Sequence, residues 1–296
     1  GLFQEIADLG NAVKVSYYPG CSLEGTAIDY AASIGGVSRL LDLELEELED
    51  WNCCGATAAH SLDHHLALAL PARNLALAEA AGRDVVVPCA LCFNRLKVAE
   101  KALQGPEGAD LGVPYQGGIK VWDLLDYLTQ KAYLQELASK VVQPLTGLKA
   151  VGYYGCLVAR PPAITDKTDS ENPQNLEQLL KVLGADPLDW SFKTDCCGAG
   201  LAVARPDIID TLVQRLYERA RRAGADCFVV SCQMCQANLD MPQQRIAKKF
   251  GQDYYLPVFY FTELIGLALG HPEVKKWLAG HLVDPVPLLE KIGFRL

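Results

Sequence analysis

Cysteine is the residue type with the most chemistry to offer here, and ten of the chain's eleven cysteines fall into one pattern written twice. A lone Cys is followed by a Cys-Cys-Gly triplet and then by a C-x-x-C pair. The first copy is Cys21, Cys53-Cys54-Gly55, Cys89 and Cys92; the second is Cys156, Cys196-Cys197-Gly198, Cys232 and Cys235. In both copies 34 residues separate the second Cys of the triplet from the pair. Thiolates are soft ligands suited to iron and zinc. Five of them exceed the four that a tetrahedral zinc ion accepts, so the count points to a polynuclear iron–sulfur centre in each copy. A C-x-x-C at a helix start lets two thiolates reach one centre while the helix N-terminus favours their charge. Gly55 and Gly198 allow the backbone to fold tightly around a bulky core. Zinc, at one site in particular, is the alternative. The bacterial cubane run C-x2-C-x2-C-x3-C-P is absent, so the expected centre is of another kind.

The rest of the composition bounds the setting. The chain has 296 residues, 50% of them hydrophobic, which is enough for a large core and two domains. A net charge of −9 leaves no basic footprint for a nucleic acid. No apolar run reaches the roughly 18–20 residues that span a bilayer, and no secretory signal is visible. The expectation is therefore a cytoplasmic protein without direct membrane insertion. Clustered thiols in that setting read as metal-binding rather than bridged, and a disulfide between adjacent cysteines would be strained.

The text around the cysteines repeats too. Val15–Cys21 matches Val151–Cys156, and Ala81–Cys89 matches Ala223–Cys232. A repeat of this length means a duplicated domain rather than a solenoid. Each half alternates short β-rich runs with helical ones. In the first, Lys14–Tyr18 reads as a strand, Thr26–Leu41 as a helix and Ala59–Ala81 as a helix kinked or divided at Pro71. Asp84–Val87 reads as a strand and Cys89–Leu103 as a helix. In the second, the same order runs through strand Ala150–Tyr154, helix Pro173–Leu183, helix Pro206–Ala223, strand Phe228–Val230 and a helix from Cys232. Ile119–Leu128 and Leu256–Leu269 each read as a strand running into a helix. The predicted fold class is α/β, with two pseudo-symmetric Rossmann-like domains, each a small, mainly parallel sheet flanked by helices. The boundary falls in Gln143–Leu148, giving domains 1–145 and 146–296. The lone Cys and the C-x-x-C then sit beyond strand C-termini, the edge where open α/β sheets bind ligands.

Other candidates read more plainly. Cys227, mid-strand, is expected to be a buried inert thiol. His60, His64 and His65 fit a solvated helix face, and the acidic run Glu44–Asp50 a solvated edge. Among Tyr17, Tyr18, Tyr153 and Tyr154, at least one of each pair is expected in the core, with a phenol bond to a cluster sulfur or substrate as the functional option. Arg160, Lys193 and Asp195 fit either surface roles or contact with an anionic substrate.

The doubled five-Cys pattern, with Tyr153–Cys156 and Phe261–Ala268, resembles the duplicated CCG (cysteine-rich) domain of the HdrB-like family of heterodisulfide reductase subunits. The resemblance implies two noncubane [4Fe-4S] clusters, one held by Cys21, Cys53, Cys54, Cys89 and Cys92, the other by Cys156, Cys196, Cys197, Cys232 and Cys235. It implies a catalytic subunit that reductively cleaves or forms a small-molecule disulfide between facing clusters. It further implies partners: an HdrA-like flavoprotein and an HdrC-like iron–sulfur subunit in a larger complex. The alternative in related CCG-containing proteins is a non-catalytic electron-relay subunit of a respiratory dehydrogenase-type complex. A third class is a purely structural metal-binding scaffold. This chain departs from strict symmetry, since 31 residues lie between Cys21 and Cys53 but 39 between Cys156 and Cys196. The extra length, between Arg160 and Asn175, predicts that one centre is more open or differently lined.

Overall fold

The structure, a computed structural model, describes residues 13–295. It contains two four-stranded parallel sheets built alike. The first comprises β1 (Val13–Tyr17), β2 (Leu43–Glu47), β3 (Val85–Val87) and β4 (Val121–Asp123) in the order β2-β1-β3-β4. The second comprises β5 (Lys149–Tyr153), β6 (Asp186–Pro187), β7 (Cys227–Val230) and β8 (Val258–Tyr260) in the order β6-β5-β7-β8. All pairings are parallel, as they must be where helices carry the chain from strand to strand. The inner strands β3 and β7 are apolar and buried at every residue because helices cover both faces. The α/β reading with two similar halves is what the structure has.

Differences from the sequence reading have local causes. The long helix is divided at Asp63, not at Pro71, into Ala59–Leu62 and His64–Ala80. Asp63 is extended, and its carboxylate caps the second helix by accepting from the Leu66 amide. Pro71 sits inside that helix among buried residues and does not end it. The acidic run Glu44–Asp50 is a solvated edge as read, and it also holds a strand that was not anticipated: Leu43–Glu47 forms edge strand β2 beside β1. The helix Pro206–Ala223 does start on its proline and stops at Gly224, whose φ of 84° is the left-handed cap.

The two halves pack directly on each other. The Tyr30 and Tyr260 rings stack at 4.1 Å, and Tyr30 donates its hydroxyl to the Ser231 carbonyl at 3.1 Å. Ser33 and Thr262 hydroxyls meet at 2.7 Å. The 39-residue interval of the second half supplies a further clamp. Asn94 Nδ2 donates to the Leu157 and Arg160 carbonyls, and Asp166 pairs with Lys97 and Lys101 of the helix Ala90–Leu103. The extra length is therefore a segment docked on the first half.

A buried ion pair pins the C-terminal segment to helices of the second half, Phe261–Ala268 and Gln233–Asp240. His281 Nε2 lies 2.9 Å from Glu263 Oε1, both side chains being wholly inaccessible, and Asp240 accepts from the Leu282 and Val283 amides. Burial opposes the imidazolium charge, but Glu263, then Asp240 and Asp29, outweigh it and hold His281 up to about 9. An unfolded histidine titrates near about 6.5. The contribution is therefore complete below about pH 6.5 and is lost as pH rises to about 9. Denaturant midpoints of the wild type should fall across that window, whereas the difference from His281→Leu should shrink. A constant difference from pH 6 to pH 10 would contradict the ion pair.

Candidate metal centre

Each half gathers its five cysteines at the C-terminal edge of its sheet. The lone Cys21 follows β1 and opens a short helix, Cys21–Gly25; Cys156 follows β5. Cys89 and Cys232 follow the central strands as extended N-caps of the helices Ala90–Leu103 and Gln233–Asp240. Cys92 and Cys235 then lie in the first turn, three residues on, facing the same locus. The triplets arrive from the long connections after β2 and β6.

The sulfurs meet in matching contacts. Cys21 and Cys53 Sγ atoms lie 4.0 Å apart, and Cys92 Sγ bonds with those of Cys54 and Cys89. In the second half Cys156 bonds with Cys196, and Cys235 with Cys197, at 3.9 Å, and with Cys232. All eleven cysteines are free of disulfides. Cys54, Cys89 and Cys92 are buried and so are Cys197, Cys232 and Cys235, whereas Cys21, Cys53 and Cys196 are exposed and Cys156 half-buried. Each quintet thus has a deep wall and an open rim. Cys227, the eleventh cysteine, is buried in β7 outside both sets, and burial pushes its thiol far up.

Glycines make the convergence possible. Gly20 and Gly155, each just before the lone Cys, have φ of 74° and 69°. A Cβ there would stand 2.7 Å from Cys92 Sγ in one half and 2.7 Å from Cys235 Sγ in the other. The triplet glycines, with φ of 72° at Gly55 and 81° at Gly198, turn their own amides back to Cys53 Sγ at 3.5 Å and Cys196 Sγ at 3.3 Å.

Tyrosines three residues before each lone Cys fix the triplets. Tyr18 donates its hydroxyl to the Asn52 carbonyl at 2.8 Å, and Tyr153 to the Asp195 carbonyl at 2.6 Å. Both carbonyls belong to the residue immediately before the Cys-Cys pair. The buried phenols therefore serve the backbone rather than a sulfur or a substrate. Tyr18→Phe or Tyr153→Phe should cost about 1–2 kcal/mol and lower metal retention in that half only. Chemical denaturation and metal analysis read the two effects, and unchanged values in both variants would remove the tether from the account.

The sulfurs share protons within each set. Cys89 is drawn down to about 7, first by the Cys92 thiol and, against burial, by the Cys92 amide, Gln233 and the Leu91 amide. Cys196 is drawn down to about 6, first by the Cys156 thiol and then by the Gly198 amide, and Cys197 to about 7 by the Cys235 thiol first. Cys92, Cys156 and Cys235 move up as the donating partners, and burial raises Cys21. N–H groups aimed at several thiolates are what a thiolate-ligated metal core requires around it. Five converging sulfurs, the glycine gaps and these donors fit an iron–sulfur group.

Among the remaining candidates, His64 and His65 lie exposed on the helix surface, where His64 meets Glu107 at 3.3 Å, and His60 is exposed too. Arg160 pairs with Glu171 and with the Thr194 hydroxyl. Lys193 is no surface residue: it is 2% exposed and pairs with buried Glu177 at 2.9 Å, which also accepts from Tyr154. Sequence reasoning did not single out Gln233, whose Nε2 lies 2.9 Å from Cys89 Sγ across the two halves. Nor did it single out Arg95, whose charge acts on Cys54.

Comparison with known proteins places the chain in a family. Residues 15–97 and 150–240 each match the cysteine-rich domain family, CCG. A relative from Wolinella succinogenes, the 8-methylmenaquinol:fumarate reductase membrane anchor subunit, is 33% identical over 282 residues, spanning 93% of this chain and 99% of that protein. The B-type subunit of the ferredoxin/F420H2-dependent CoB-CoM heterodisulfide reductase of Methanosarcina acetivorans is 29% identical over 291 residues, 94% of this chain and 97% of that protein. A solved structure of a hypothetical protein from Helicobacter pylori shares the fold with a TM-score of 0.69 at 13% identity, covering 92% of this chain. This chain spans about half (52%) of the length of that structure. The chain belongs to the cysteine-rich CCG domain family, carries that domain twice, and is similar to the B-type subunits of heterodisulfide reductases over nearly its full length.

Proposed function

We propose that this chain is the catalytic subunit of a heterodisulfide-reductase-like complex, an oxidoreductase acting on a sulfur group. Cys21, Cys53, Cys54, Cys89 and Cys92 hold one noncubane [4Fe-4S] cluster in a first domain, residues 1–145. Cys156, Cys196, Cys197, Cys232 and Cys235 hold another in a second domain, residues 146–296. The observation that carries the reading is two five-sulfur sets, each with an exposed rim, joined through one side-chain contact from Gln233 to Cys89.

The reaction is balanced simply. The disulfide takes up two electrons and two protons, its S–S bond breaks, and two thiols leave. When bound, the two clusters supply one electron each and Lewis acidity toward the departing sulfurs. The chain's own groups hold the centres and leave room at the rim. Past Arg95 runs a cleft of about 500 Å³, lined also by His60, Asp63, His64, Pro161 and Ile164 and by none of the ten cysteines. Electrons come from an HdrC-like iron–sulfur partner fed by an HdrA-like flavoprotein. The proposed place of the chain is the cytoplasm, docked on those partners; among the described residues no helix is long and apolar enough to cross a membrane.

A second reading is favoured by one comparison. The Wolinella relative is named as part of a menaquinol:fumarate reductase, so this chain would relay electrons between partner subunits without cleaving a disulfide. Anaerobic assay of the iron-loaded chain with a chemical electron donor and candidate disulfides separates the two. Thiol release at two per disulfide supports catalysis; cluster redox cycling without thiol release supports relay.

A further inference from the structure

We propose that the two centres are built unequal, and that Gln233 and Arg95 make the first-half centre the more readily reduced of the pair. This rests on the reading that each quintet holds an iron–sulfur cluster, and goes beyond it by assigning an order to the two.

The asymmetry is visible at equivalent positions. Each C-x-x-C begins a helix, and its second residue is Ala90 in the first half but Gln233 in the second. Gln233 does not serve its own quintet. It crosses the interface and sets Nε2 2.9 Å from Cys89 Sγ, a ligand of the other half. The side chain is 3% exposed and its Oε1 has no partner, so no solvent competes for the amide. A ligand thiolate has lone pairs and no proton, so the amide must face it with N–H. Ala90 has no donor to return.

A second pair of positions tilts the same way. Three residues after the last Cys of each pair stand Arg95 and Asn238. The half-buried Arg95 stands one helical turn after Cys92 and its guanidinium donates to neutral Asn94 Oδ1 at 2.7 Å, so its charge stays beside the first quintet. Neutral Asn238 instead donates Nδ2 to the Cys197 carbonyl at 2.6 Å. One quintet therefore feels a cation and a cross-domain amide, the other a neutral amide from its own half. Reduction adds negative charge to the cluster and its sulfurs. Hydrogen bonds and positive charge at those sulfurs stabilise the reduced form and raise its potential. The first electron accordingly settles on the first-half centre.

Redox titration followed by EPR on the iron-loaded chain tests this, comparing wild type with Gln233→Leu and Arg95→Gln. The wild type should show two separate midpoint potentials. Each variant should lower the higher one by at least a tenfold change in its equilibrium, about 59 mV for one electron, and leave the other unchanged. Potentials that stay put in both variants, or that shift together, overturn the proposal. If Gln233→Leu fails to retain iron, Arg95→Gln decides by the same criterion. Wild-type protein that holds no iron would instead overturn the cluster reading beneath it.

Discussion

Alanine at Cys92 is expected to halve the iron of the chain, and alanine at Cys235 to remove the other half. Cys92 lies at the hub of its set, bonded to both Cys54 and Cys89, and is placed by the first turn of a helix whose N-cap is another cysteine of the set. Cys235 has the same place relative to Cys197 and Cys232. Losing the hub separates the triplet from the pair, so the remaining sulfurs of that half do not converge. The opposite quintet sits on its own sheet and keeps all five cysteines. Iron and acid-labile sulfide per chain, with the visible spectrum, read the outcome. Full iron in both variants would show that these sulfurs are not ligands.

Gly20→Ala and Gly155→Ala should act nearly as strongly without touching a sulfur. Each glycine has positive φ, which a side chain adopts at a cost of about 1–3 kcal/mol. Each new Cβ would also stand 2.7 Å from a hub sulfur, Cys92 or Cys235. That sulfur has little freedom to retreat, because it is buried and fixed by the helix start. The expected result is loss of one centre per variant, with a melting temperature lower than that of the wild type. An added methyl that leaves iron and spectrum intact would mean that the lone cysteines approach the centre differently.

Much of this was readable from residue types alone, because parallel strands buried on both faces are written as apolar runs such as Val85–Val87 and Phe228–Val230. The edge strand Leu43–Glu47 was hidden by its charge. The alternation of Leu43 and Leu45 with Glu44 and Glu46 was the signal available, since an edge strand needs only one apolar face. Pro71 drew the helix break away from Asp63, although an aspartate before a helical run is the better stop-and-start signal. Lys193 looked exposed because lysine usually is; it lies in a turn, and its buried partner Glu177 lies on the helix Asn175–Val182, invisible to local pattern. Gln233 is the limiting case. Its meaning depends on contact with a residue 144 positions away across two halves, and no spacing rule encodes that.

The same contrast applies to the site. The ten cysteines announced themselves by repetition, whereas the groups that hold them required coordinates: Tyr18 and Tyr153 on the triplet backbone, and Gly20 and Gly155 against the hub sulfurs. The 157–175 region shows how an asymmetry in length acquires a physical role. It spans the joint between the halves through Asn94, Lys97 and Lys101, adding a clamp to the direct packing of Tyr30 and Ser33 on Tyr260 and Thr262.

The central claim is that each five-sulfur set encloses a multi-iron core. Metal and sulfide analysis of the anaerobically purified chain, with Mössbauer spectroscopy of iron-57-enriched protein, tests it most directly. The account predicts iron and acid-labile sulfide in equal amounts, divided between two polynuclear centres, with no stoichiometric zinc. One zinc ion per half and no sulfide would contradict it.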